Sequence, residues 1–167
     1  MVSKESLAHI AAKAARLIPG IGSYQDKEKI RDLDKRWRNH IASLINEERI
    51  RIDEVKKLLT KKIKFDLLDD LDLLTKKMYQ LADTIEFSSY GYSSLFDQAA
   101  VDKKRLEDLL QFDQSMEKEL IEIKEQVDKL VTASEADIPL RIPEVELALT
   151  ALNNKLKSRE ELLKRVK

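Results

Sequence analysis

Groups able to run a reaction are few and scattered in this 167-residue chain. It has no Cys and only two histidines, His9 and His40, which lie 31 residues apart. Neither belongs to a His-x-x-x-His or Glu-x-x-His spacing, and a di-metal helical site needs such pairs facing inward together with carboxylates. Here the carboxylates fall mainly at polar helix positions. Nucleophilic catalysis would need an activated Ser, Thr or Lys, yet Gly-x-Ser-x-Gly is absent. Ser23 follows Gly20-Ile21-Gly22, but Lys27 is not at a phosphate-loop position and no strand precedes the turn. Helix capping accounts for Ser23 better. His40 sits beside the Trp37/Ile41 stripe and reads as packed or half-exposed. The expectation is a chain that is not an enzyme, with no cofactor and no metal.

Groups suited to binding are easier to find. Lys27, Arg31, Lys35 and Arg38 step by 4, 4 and 3, so they form one stripe away from the apolar face, with Arg36 on its flank. The stripe suits phosphates, anionic lipid heads or an acidic helix. Pairing with the chain's own acidic helices is the bland alternative. Nucleic acid is disfavoured, because aromatic interleaving is missing and the formal net charge is zero. Tyr90, Tyr92, Leu95 and Phe96 form a second constellation, read either as a corner plug of buried rings or as a contact knob for a partner. Leu7, Ile10, Leu17 and Ile18 form one side of a short amphipathic segment that would be a membrane face. That face is otherwise Ala-rich and has no aromatic anchor, so docking as a cap on the other helices competes with insertion.

The elements that position these groups are helices. Hydrophobic residues are 43% and charged residues 37%, while Gly and Pro number three each. That composition suits long solvated helices rather than a sheet with many turns. Apolar spacing predicts helices over about 4–18, 24–62, 66–86, 102–132 and 143–166 in a single domain spanning 1–167. Ser3 would cap the first, and Pro19, Gly20 and Gly22 would end it. The second would face inward through Ile30, Leu33, Trp37, Ile41, Leu44, Ile52, Val55, Leu59 and Ile63, with Glu48 interrupting the seam. Leu67, Leu71, Leu74, Met78, Leu81 and Ile85 step by four and three through the next. Leu109, Met116, Ile123 and Leu130 recur every seven residues in the fourth, for which Asp102 would be the cap. Residues 134–142 read as a linker, with Pro143 in the first turn of the last helix. That helix would pack through Val145, Leu149, Leu152, Leu156, Leu163 and Val166, with Arg159 at one seam position. Five acid-before-base pairs, Glu47/Arg51, Asp53/Lys57, Asp72/Lys76, Glu125/Lys129 and Glu160/Lys164, would each add a few tenths of a kcal/mol to helix.

Charge alternates along the chain: +2 over 1–23, +5 over 24–64, −5 over 65–97, −5 over 98–137 and +3 over 138–167. Oppositely charged helices lying together would explain it. No stretch approaches the ~18 uncharged apolar residues of a transmembrane helix. Lys4, Glu5, Lys13 and Arg16 interrupt any signal-peptide core, so a cytoplasmic location is expected, with peripheral attachment to a membrane as the variant.

Two stretches are familiar together. One is Ile18-Pro-Gly-Ile-Gly-Ser-Tyr24 with Lys27-Glu28, Arg31, Asp34-Lys35 and Arg38. The other is Leu81-Ala-Asp83 with Ile85, Tyr90-Gly-Tyr92, Phe96-Asp97, Leu106 and Phe112-Asp113. Over residues 14–113 the chain resembles a family of uncharacterised prokaryotic helical proteins with these two motifs. Ile21 and Ser23 depart from the Tyr and Gly of that family. The resemblance implies a prokaryotic origin and a helical fold, and no reaction.

The sequence therefore reads as all-α, an elongated antiparallel, coiled-coil-like bundle of about five helices. Its expected role is a scaffold or adaptor that contacts a protein partner or a second copy of itself as a homo-oligomer. A peripheral membrane-binding protein is the alternative, and nucleic-acid binding through the basic stripe a further one.

Overall fold

The computed structural model describes the backbone of residues 24–62, 64–87, 112 and 115–164, and most side chains from Lys35 onward. Among the described residues four helices pack against one another: α1 (Tyr24–Lys61), α2 (Phe65–Phe87), α3 (Glu117–Val131) and α4 (Ile138–Lys164). No strand occurs among the described residues. At 1.5 Å per residue, α1 is about 57 Å long and α2 about 35 Å. The expected helix over 4–18 and the start of the one expected over 102–132 lie outside the described residues.

The core follows the three-and-four spacing. Trp37, Ile41, Ile52 and Leu59 of α1 are buried, as are Leu71, Leu74, Met78, Leu81 and Ile85 of α2. Met116, Ile123, Val127 and Leu130 line the third element, and Val145, Leu149 and Leu152 the fourth. Leu44 differs from the expected inner set. It is half-buried, while Ala42 and Ile45 on either side are buried. The α1 stripe is broad enough there to turn a different pair of residues inward.

The last helix begins earlier than its prolines suggest. Ile138 opens α4, so Pro143 lies inside it and not in its first turn, and 134–142 is not all linker. The first four amides of any helix lack an intrahelical acceptor, so Pro139 forfeits nothing there. Pro143 gives up one bond, to the Pro139 carbonyl. The turn is held locally instead: Ser134 Oγ donates to Asp137 Oδ2 at 2.6 Å, and the amides of Leu140 and Arg141 donate to the Asp137 carbonyl.

Ion pairs and the bonds of Arg38 to backbone carbonyls give the directions. Arg38 meets residues 85–86 and Lys56 meets Asp72, so α1 and α2 form an antiparallel hairpin. Lys155 meets Glu119, so α3 and α4 form another. Across the hairpins Arg51 reaches Asp128 and Lys62 reaches Glu135, so α1 and α3 run parallel. It follows that α2 and α4, joined by Lys77–Glu146 at 2.6 Å, run parallel as well. Both hairpin turns consequently lie at one end.

Candidate functional site

Arg38 leaves the basic stripe. It is 6% exposed, and its Nη1 donates to the carbonyls of Glu86 at 2.7 Å and Ile85 at 3.4 Å. Those carbonyls belong to the last turn of α2, where backbone acceptors run short of intrahelical donors. The last turn of α2 has no basic residue of its own, so α1 supplies the cation that its negative end favours. Lys35 and Arg36 are exposed, as a stripe requires. Lys27 and Arg31 are on α1, with side chains outside the described set. α1 runs on past the end of α2 for about 21 Å, and Lys27, Arg31 and Lys35 stand on that extension.

Beside Arg38, the guanidinium of Arg159 lies 4.7 Å from the centre of the Trp37 ring and is 5% exposed. The Arg at a seam position is accommodated by stacking its flat cation on an indole face. His40 is half-buried, and its Nε2 has no hydrogen-bond partner among the described residues.

The other polar clusters join helices. Arg51 donates to Glu48 at 2.6 Å on its own helix and to Asp128 on α3. Burial pushes the Glu48 carboxyl above its usual range, against the pull of Arg51. Burial also opposes the charge on Arg51, but its bonds to Asp128 and Glu48 prevail and its pKa is raised. Glu48 thus interrupts the apolar seam without leaving an exposed gap. Lys56 bridges Asp53 at 2.9 Å and Asp72, and donates to Thr75 Oγ1 at 3.3 Å. Its ammonium is lowered by burial and raised by the two carboxylates, with the carboxylates prevailing. Lys155 binds Glu119 at 2.7 Å and the Ser115 carbonyl at 2.8 Å.

These arrangements replace three of the expected acid-before-base pairs, while Glu160/Lys164 lies outside the described side chains. Arg51 goes to Glu48 and Asp128 rather than Glu47, and Lys57 to Glu54 rather than Asp53. Asp53 is taken by Arg49 and Lys56, and Asp72 by Lys56. Some acids and bases choose a partner three residues away on the same helix, and Asp128 and Asp72 are partners on a neighbouring helix, which a spacing rule within one helix does not see.

An open groove between α1 and α2 is lined by Ile50, Asp53, Glu54, Lys56, Lys57, Thr60, Leu68 and Asp72. Its cations are already held by its own acids, so it offers neither a free base nor a free acid in a closed pocket. Among the described residues, no group of three or more His, Cys, Asp and Glu could hold a metal ion.

Comparison with protein-family models, curated proteins and solved structures finds no match. The geometry alone must speak. Tyr90, Tyr92, Leu95 and Phe96, and the face formed by Leu7, Ile10, Leu17 and Ile18, lie outside the described residues. No described helix is long and apolar enough to cross a membrane.

Proposed function

We propose that the chain is a non-enzymatic helical scaffold or adaptor that works by protein–protein contact and associates with itself. What supports this reading is where its polar and apolar groups are placed. Of the described residues with shifted pKa values, Arg51, Lys56 and Glu135 stand in ion pairs that tie elements together, and Glu48 pairs with that same Arg51. Large apolar side chains meanwhile stand out on the outer faces of two helices. Leu147 is 72% exposed and, seven residues before it, Leu140 is 69% exposed on the same side of α4, while Leu73 and Tyr79 project from α2. Exposed bulky residues on rigid rods are the usual raw material of helix–helix interfaces.

Light scattering across a concentration series tests this. Self-association is expected, and Leu147→Asp is expected to shift the population toward monomer with helical content unchanged. A strictly monomeric protein at high concentration would remove the self-association half of the proposal.

A further inference from the structure

We infer that the end carrying both hairpin turns is a docking surface for an anionic lipid bilayer. This goes beyond the scaffold reading and does not depend on it. Glu135 marks the geometry: it pairs with Lys62 and lies 3.9 Å from Lys64, so the α3–α4 turn stands beside the α1–α2 turn. Three bulky apolar side chains gather within one helical turn of that end. Leu58 is 58% exposed, Phe65 60% and Leu140 69%. Among them stand Lys61, Lys62 and Lys64, all exposed.

The charge favours a lipid surface over a neutral one. Lys57 and Arg141 are matched by Glu54 and Glu144 on their own helices, so the attraction rests on the exposed cluster Lys61, Lys62 and Lys64. Glu135 offsets part of the Lys62 and Lys64 charge, but a pair this exposed is weak and exchanges readily for lipid phosphates. Aromatic and leucine side chains flanked by lysines are the chemistry of an interfacial anchor: rings and alkyl groups enter the headgroup region while ammonium groups stay at the phosphates. The rods would then stand with this end down, because the apolar side chains lie at their tips.

The test is vesicle sedimentation of the full chain, with phosphatidylcholine vesicles containing or lacking phosphatidylserine. Binding is expected only with the anionic lipid, and it should weaken as salt is raised. Replacing Lys61, Lys62 and Lys64 together by Gln should weaken binding roughly 100-fold, about fivefold per lysine near a charged surface. These positions are exposed, so helical content should not change.

Because the chain has no Cys, single labels locate the contact. A polarity-sensitive dye on Phe65→Cys should shift to the blue with anionic vesicles. The same dye on Thr84→Cys, toward the opposite end of α2, should not. Failure of the unmodified chain to bind anionic vesicles at low salt overturns the inference, whatever protein this end contacts. So does a shift at position 84 without one at 65, which would place the bilayer at the other end.

Discussion

Arg38 illustrates how one side chain can serve an element other than its own. From α1 it donates to carbonyls at the end of α2, a role in which charge and reach both matter. Arg38→Met keeps the stem and removes the donors, so it should cost about 1.5–3 kcal/mol, the range for hydrogen bonds from charged groups. Urea unfolding at pH 7 measures it, and a loss well under 1 kcal/mol would mean these carbonyls need no cation. Glu48 and Glu135 make opposite predictions about pH. The carboxyl of Glu48 is raised in the fold, so its favourable contribution is fully present below the unfolded value near 4.5 and fades as pH rises through the folded value. At neutral pH Glu48→Gln should therefore match or exceed the parent in stability, and the advantage should shrink on acidification. Glu135 is lowered, chiefly by its hydrogen bond to Lys62. Its contribution is present above pH 4.5 and disappears as pH falls through the lower folded value, so Glu135→Gln should flatten the acid limb of the stability profile only slightly, the pair being exposed to solvent. Parallel denaturation series at several pH values read both, and a reversed sign in either would contradict the pairing described.

At the scale of elements, the four described helices and most of their inward faces were legible because their signal is local. The seven-residue recurrence of Met116, Ile123 and Leu130 reappears as three side chains with 0–2% exposure. The spacing of Leu71, Leu74, Met78 and Ile85 likewise maps onto the buried face of α2. Met78 is fully buried at the centre of that face, so Met78→Ala should cost about 2–5 kcal/mol. Chemical denaturation checks this, and a cost below 1 kcal/mol would mean the site collapses around the gap or is not packed as described. Two readings differ from the structure, each for its own physical reason. Pro143 signalled a helix start, although proline also fits deeper within a first stretch that the Ser134–Asp137 turn has already organised. Arg38 fitted the periodicity of an exposed stripe, but periodicity fixes only an angle around the helix. It cannot say whether the last turn of a neighbouring rod lies at that angle and offers its carbonyls to a cation.

For the whole molecule, alternating charge along the sequence becomes charge pairing between helices. Basic α1 meets acidic α2 through Lys56–Asp72, and α3 through Arg51–Asp128, while α4 gives Lys155 to Glu119. What spacing could not reveal was which helices would be neighbours, because directions depend on side chains brought together from far along the chain. Lys62 and Glu135 are 73 residues apart. The parallel pairing of α1 with α3 has a mechanical consequence. Tyr24 and Lys164 open and close the described fold at the same end, away from both turns. Tension applied through these two points would pull helices apart sideways, one turn after another, instead of sliding them lengthwise. The stacked Trp37 and Arg159 would be among the first contacts to bear that load, and the linked turns at the far end the last to part.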